Sequence, residues 1–323
     1  MHLSDPIYGD FSIQEPFLKE LIQSAPVQRM NHIHQSGCNF LIDRKQTITR
    51  YDHCIGTMLL LRGLGASVQE QAAGLLHDVG HGAFSHVLDG VFKEFKHNFD
   101  AAHLEMIIQQ SDIPAICEKH GVDWKQLLKK EKFPLLEQSI PLLCSDRVDY
   151  TLRDSTYFLP VEKVREWWKG LRVRNNQLVF SSPALAEEFA LQYLQLDDLI
   201  WSSPRFSSAS MVLADVLKEG LRLGVISRED LHSTDEQVLE KIKKNGNALM
   251  REKFSWLNHS FNVIIVPDAF DYRMFWKVRW VNPPVITSNG VIPLSLLSGN
   301  VKTAIEEHNR RIAKGLRVKI VVR

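Results

Sequence analysis

The run Leu75-Leu76-His77-Asp78-Val79-Gly80-His81-Gly82-Ala83-Phe84-Ser85-His86 constrains this chain more than any other feature. A histidine followed at once by an aspartate closes an apolar helical segment. Two metal-competent side chains therefore occupy adjacent positions at the edge of a core, and two further histidines follow within nine residues. Buried titratable groups each need a partner, and an ordinary core has little use for so many. The combination points to a divalent metal beside general acid/base groups, and so to a hydrolase.

Composition sets the frame without choosing the chemistry. A length of 323 residues with 44% hydrophobic content suits one large domain or two ordinary ones. The 39 basic residues balance 38 acidic ones, so overall charge supports neither a nucleic-acid partner nor an acidic surface. Cys38, Cys54, Cys117 and Cys144 form no CxxC pair, which reads as reduced thiols in a cytoplasmic protein. The N-terminus lacks a basic start and an apolar core. No run approaches the roughly 18 apolar residues that span a bilayer, so no membrane association is expected.

Apolar spacing predicts two helices, 53–62 and 68–77, around Gly63-Leu64-Gly65-Ala66. Ser67 reads as the N-cap of the second, with Glu70 completing a capping box. Further helix is expected at 15–35, 100–110, 135–155, 184–200, 209–220, 235–250 and 301–313. The Trp201–Phe206 stretch reads as a loop. Strands are expected at 262–267, 277–281 and 318–322. The fold class is therefore mainly α: a helical body over 1–215, then a smaller α+β region over 216–323 with a regulatory or oligomerisation role.

An antiparallel pair of the first two helices would bring His53, which opens one, beside His77 and Asp78, which close the other. Asp146, at the end of an apolar run, is the best fourth ligand. Two imidazoles and two carboxylates suit Mn, Fe, Co, Ni, Zn or Mg and leave positions for water and a phosphate oxygen. His86 and Asp89 lie three apart, so the carboxylate can hold the imidazole and fix its tautomer.

Arg50-Tyr51-Asp52-His53, then His77-Asp78, then Asp146 resembles the H…HD…D signature of the HD-domain phosphohydrolases. The fuller strings Ala73–His86 and Asp146-Arg147-Val148-Asp149-Tyr150-Thr151-Leu152-Arg153-Asp154 resemble its deoxynucleotide triphosphohydrolase branch. The likeness runs from about residue 25 to about residue 159 and implies an HD-domain helical bundle. It also implies that His81, His86, Asp89 and a downstream histidine, His97, serve the reaction. The family usually has His-Glu where this chain has His97-Asn98. Arg50, Arg147 and Tyr150 match phosphate-contacting positions, and Gln35 and Asp154 match sugar-contacting ones. Two departures touch substrate choice: Gln35-Ser36-Gly37 stands for the usual Gln-Leu-Gly, and Arg44–Thr49 replaces the usual Gly-Ala-Thr/Ser-His loop.

The resemblance implies a homo-oligomer that hydrolyses a nucleotide, releasing deoxynucleoside and tripolyphosphate by water attack at the α-phosphorus. Three alternatives stand beside it: an HD-type phosphomonoesterase, a phosphodiesterase on another nucleotide, and a non-catalytic nucleotide sensor. The Trp167-Trp168 pair reads as a helix face or subunit contact before it reads as a stacking platform for bases.

Overall fold

The computed structural model describes residues 1–92 and 99–321. The long central helix, Arg50–Gly63, starts at Thr49, whose hydroxyl accepts the Asp52 N–H while Asp52 Oδ2 accepts the Thr49 N–H. This reciprocal cap fixes the first turn, and His53 projects from it into the core. A short link through Gly65, in the left-handed region at φ 78°, turns the chain back into Val68–Leu76. Ser67 caps that helix as expected. The expected box is only half made, because the Glu70 carboxylate turns away to accept the Leu135 N–H at 2.9 Å. A buried backbone donor in an irregular stretch claims it instead of the helix's own cap.

A large apolar core surrounds this helix pair. It takes in Leu18, Leu21, Met58, Leu61, Leu75, Leu152, Phe189 and Tyr193, and also Val285 and Val301 from late in the chain. A second core joins Phe84, Leu88 and Phe99 to the inner face of the helix Pro204–Arg222 and to Leu231, Val238 and Ile242. The chain is mainly α, with small sheets. The hairpin His2–Asp5 with Gly9–Ser12 opens it. A four-stranded sheet runs in the order Leu171–Arg174, Gln177–Phe180, Pro284–Thr287, Gly290–Pro293. Its middle pair is parallel at Phe180↔Val285, which ties the α+β region to the helical body. A three-stranded sheet places Leu316–Val321 between Asn262–Ile265 and Tyr272–Met274.

Several expectations change. The helix expected over 135–155 occupies only Ser145–Ser155. Pro141 interrupts the earlier part, and the Leu135 carbonyl accepts the Ser145 N–H instead of continuing a helix. The helix expected over 15–35 divides into Pro16–Gln23 and Ala25–Arg29, with extended Ser24 between them. Residues 277–281 form no strand. Their alternation in sequence is not matched by burial: Lys277 is exposed, Val278, Arg279 and Trp280 are half-buried, Val281 packs in the first core, and the following Asn282 N–H goes to the Pro141 carbonyl. Trp201 closes a π-helical turn, Asp197–Trp201, and Arg205 and Phe206 already belong to the helix Pro204–Arg222. No helix among the described residues is long and apolar enough to cross a membrane.

Candidate metal centre

The antiparallel pair brings His53 and His77 together, with their Nε2 atoms 3.2 Å apart. Each ring is oriented from its far side. His53 Nδ1 donates to Asp149 Oδ2 at 2.7 Å, and His77 Nδ1 donates to the Gly74 carbonyl at 2.7 Å. With both Nδ1 atoms acting as donors, both Nε2 atoms are left to face one point. Asp146 Oδ1 lies 3.1 Å from the first and 3.6 Å from the second. Asp78 completes the ring, with Oδ2 3.6 Å from His53 Nε2 and Oδ1 3.6 Å from His77 Nε2.

Electrostatics identify what belongs at that point. Burial disfavours a charged His53, but hydrogen bonds to Asp146 and Asp149 overcome it and lift the imidazole to about 10. Burial likewise works against the Asp146 and Asp78 carboxylates. The two imidazoles hold Asp146 far below the usual carboxylate range, and His77 and Arg50 do the same for Asp78. The site therefore attracts positive charge strongly. Two imidazole nitrogens and two ionised carboxylates converging in this way fit a divalent cation.

His53 reaches this position because Gly56, one turn along, has no side chain. A Cβ there would collide with the Arg153 guanidinium and with Asp149 Oδ1. Asp149 is fully buried; it also accepts from Tyr8 Oη at 2.7 Å and from Arg153 Nε at 2.9 Å. Arg153 is shared in turn with Asp5 at 2.7 Å.

Beyond the pair, the chain makes a tight turn with Phe84 and Ser85 both at positive φ, 61° and 49°. Such a conformation persists only when its surroundings hold it. Asp235 accepts the Phe84 N–H at 2.6 Å, and Ser85 Oγ donates to the His34 carbonyl at 2.7 Å. The turn presents His86 on the surface, its Nδ1 3.1 Å from Asp89 Oδ2. The other Asp89 oxygen accepts the Phe99 N–H. The His86 ring lies edge to face with His81, centroids 5.0 Å apart. His81 Nε2 sits between Asp78 Oδ1 at 3.5 Å and Asp100 Oδ2 at 3.8 Å.

The other expected site residues are found around this centre. Arg50 Nη1 donates to Asp78 Oδ2 at 2.5 Å, its Nε to Ser85 Oγ at 2.9 Å and its Nη2 to the Gln35 carbonyl at 3.2 Å. Arg147 spends its terminal nitrogens on the carbonyls of Leu142 and Gln138, and its buried Nε has no partner. Tyr150 Oη meets Tyr193 Oη at 3.0 Å, and its ring stands edge to face with Trp201. Asp154 Oδ2 accepts from Trp201 Nε1 at 2.7 Å, while its Oδ1, like Gln35 Oε1, is buried without a partner. Burial raises the Asp154 carboxyl to about 6, against the lowering effect of the Trp201 bond. His97 lies outside the described residues. Trp167 is buried against Phe189 and donates to Glu188, so it makes no stacking platform. Sequence reasoning assigned no role to Asp149, Asp100 or Asp235; only the Asp149 position, inside the quoted motif, carried a signal.

This fold and centre define a metal-dependent phosphohydrolase of the HD type. The HD domain model matches residues 50–154. An uncharacterized protein, YdhJ, of Bacillus subtilis is 37% identical over 99% of both chains. The metal-dependent phosphohydrolase cns2 of Cordyceps militaris is 33% identical over 88% of this chain and 84% of its own. The deoxynucleoside triphosphate triphosphohydrolase SAMHD1 of Danio rerio is 29% identical over 37% of this chain and 23% of its own. The chain belongs to the HD-domain family of metal-dependent phosphohydrolases, is a hydrolase and takes a divalent metal cofactor.

Proposed function

We propose that this protein hydrolyses a nucleotide at the His53/His77/Asp78/Asp146 centre, and that its substrate is a deoxynucleoside triphosphate cleaved to deoxynucleoside and tripolyphosphate. The observation that carries the nucleotide reading is the pair of unpartnered buried acceptors, Gln35 Oε1 and Asp154 Oδ1. Gln35 lies against Arg50 through its carbonyl, and the Asp154 carboxyl feels the charge of His53 and Arg50. Buried acceptors without donors are costly, and sugar hydroxyls would supply the missing donors. The partial likeness to a triphosphohydrolase supports the finer assignment.

A bound divalent ion supplies Lewis-acid polarisation of a phosphoryl oxygen and acidifies a water molecule. In this reading His53 and His77 offer their Nε2 lone pairs because Asp149 and the Gly74 carbonyl hold their Nδ1 protons. Asp89 fixes the tautomer of His86 through Nδ1, leaving Nε2 to carry a proton to the leaving 5′ oxygen. His81, flanked by Asp78 and Asp100, lines the same side of the site. Tyr150 and Trp201 form an aromatic wall beside Asp154.

A second reading, a nucleoside monophosphate substrate, is favoured by one observation. The terminal nitrogens of Arg50 and Arg147 are already engaged by Asp78 and backbone carbonyls, which leaves less cationic capacity for a triphosphate tail. Homo-oligomeric assembly through residues 216–323 is part of the proposal. It is supported by exposed Ile265 and Phe275 beside a three-stranded sheet with two open edges; light scattering on the purified chain tests it. The decisive experiment for substrate is a product-resolved screen with Mn²⁺, Mg²⁺ and Co²⁺ against dNTPs, NTPs, nucleoside monophosphates and a generic phosphodiester. Tripolyphosphate with deoxynucleoside establishes the first reading. Inorganic phosphate from monophosphates alone replaces it with the second.

A further inference from the structure

We propose that Arg29 is a positioning residue, whose guanidinium fixes the backbone path from Asp78 to His81 and His86 and so sets where the proton donor stands relative to the metal centre. The proposal rests on the reading of His86 as the group that serves the leaving oxygen. Arg29 closes the short helix Ala25–Arg29 and is half-buried. Its Nη2 donates to the Val79 carbonyl at 2.8 Å and to the His81 carbonyl at 2.8 Å, and its Nη1 donates to the Ser233 carbonyl at 3.2 Å. Val79 and His81 are buried, so their carbonyls need donors from the protein. Gly80 stands between them. The helix Phe99–Gln109 begins against Gly80, so closely that a Cβ there would collide with the Asp100 carbonyl oxygen. The stretch is thus pressed by that helix and gripped by Arg29.

Residues 231–235 hold the rest of the turn. The Leu231 carbonyl accepts the Ala83 N–H at 2.8 Å, and a Cβ on Gly82 would collide with that same carbonyl. Asp235 accepts the Phe84 N–H at 2.6 Å and the His34 N–H at 2.9 Å. The Arg29 bond to Ser233 joins this segment to the carbonyls of Val79 and His81. The path from residue 79 to residue 85 is therefore held by groups outside residues 50–154, the span that matches the HD domain.

Charge and strain explain why an arginine serves here. Burial pulls the Arg29 guanidinium down to about 10 and the Asp235 charge opposes that pull, so the group is a cation at neutral pH. Hydrogen bonds from a cation are stronger than neutral ones, and the planar fork fixes their direction. Phe84 and Ser85, both at positive φ, need such support. His86 follows them directly, and Asp89 lies on the next helix, Val87–Val91. A shift of the turn therefore moves the His86/Asp89 pair as a unit, changing its reach and keeping its internal bond. His53 and His77 are oriented by Asp149 and the Gly74 carbonyl instead, so the imidazole side of the metal centre does not depend on Arg29.

Proton NMR of the Co²⁺-loaded full chain, with turnover of dATP measured alongside, tests this. The hyperfine-shifted ring signals of His86 are assigned by their loss in His86→Ala. Arg29→Lys keeps the charge and loses the fork. In it the His86 signals are expected to move while those of His53 and His77 stay. Metal content should match the wild type, and kcat per metal-loaded chain should fall about 10- to 100-fold with little change in KM. Arg29→Ala is expected to fall further and to recover part of its kcat in added guanidinium ion; if that variant does not fold, Arg29→Lys alone decides. Unmoved His86 signals in Arg29→Lys, or a wild-type kcat accompanied only by a lower melting temperature, overturns the proposal and leaves Arg29 as a structural strut. A wild type that does not cleave dATP removes the substrate reading, while the NMR comparison still decides Arg29.

Discussion

His53 Nδ1 and Asp149 Oδ2 are joined at 2.7 Å in the fully buried interior, and the same carboxylate is held by Tyr8 and Arg153. The N-terminal hairpin, through Asp5 and the neighbouring Tyr8, therefore reaches the metal centre in two steps without touching it. Carboxylates that orient ligand histidines raise ligand basicity and fix the ring.

Asp149→Asn is expected to weaken metal affinity about 10- to 100-fold and to destabilise the chain by several kcal/mol, because Arg153 loses a buried partner, at a cost of about 3 to 5 kcal/mol for such pairs. Gly56→Ala should act in the same direction by displacing Asp149 and Arg153. Metal titration together with thermal melting separates the two effects. Unchanged affinity in both variants would remove Asp149 from the orienting role.

His86→Ala should leave metal content intact and reduce turnover about 100- to 10,000-fold, the usual span for a general acid. Asp89→Asn should give a smaller loss, since Asn still accepts a hydrogen bond but no longer stabilises the imidazolium. Because the His86 side chain is 66% exposed, its change should not move the melting temperature much, whereas Asp89 is buried and also accepts the Phe99 N–H, so its variant should melt somewhat lower. A His86→Ala enzyme with wild-type kcat would assign the proton to another group.

The clustering at the candidate centre was partly legible because three of its members are encoded locally: His77-Asp78 at a helix end, with His53 at the start of the partner helix, while Asp146 comes from a distant helix. The antiparallel turn brings those three together, and that follows from apolar spacing. Asp100 was not legible, because its approach depends on a backbone contact at Gly80 that no periodicity records. Nor was Asp235, which supports a strained turn about 150 residues earlier in the chain. The fold class was legible from the balance of helical and alternating segments. Residues 277–281 misled because sequence alternation supplies no partner strand, and here it does not track burial either. Residues 135–144 misled because their apolar content outweighed Pro141 in the reading and not in the chain.

Asp154→Asn should stabilise the chain at pH 7 and impair it as an enzyme. Its folded carboxyl titrates near 6 against an ordinary 3.8, so the folded state binds the proton more tightly than the unfolded one. This group's contribution thus opposes folding at pH 7, by about 1 to 3 kcal/mol, and that penalty declines as pH falls through 6 and is gone below about 3.8. Asparagine keeps an acceptor for Trp201 and removes the buried charge. Metal-free melts should show a larger gain at pH 7 than at pH 5, with the gain vanishing only below about pH 3.8, and KM should rise. A variant less stable at pH 7 would contradict the account.

His308 joins the C-terminal helix Gly299–Lys314 to the π-helical turn that carries Trp201. Its Nε2 lies 3.0 Å from fully buried Asp197 and its Nδ1 3.4 Å from Asp198, which also pairs with Arg311 at 2.7 Å. Burial opposes the charged ring, but the two carboxylates prevail and raise it from 6.5 to about 9. A raised histidine contributes its full stability below about 6.5, where both states hold the proton. That contribution declines between 6.5 and 9 and is gone above 9, for a total on the order of 3 kcal/mol. His308→Gln should therefore lower the melting temperature at pH 6 and leave it nearly unchanged at pH 10. Because Trp201 sits at the end of the same turn and bonds Asp154, the wild-type enzyme should also show KM rising between pH 8 and pH 10, and His308→Gln should flatten that rise. Equal destabilisation of the variant at both pH values would show that His308 acts by packing alone.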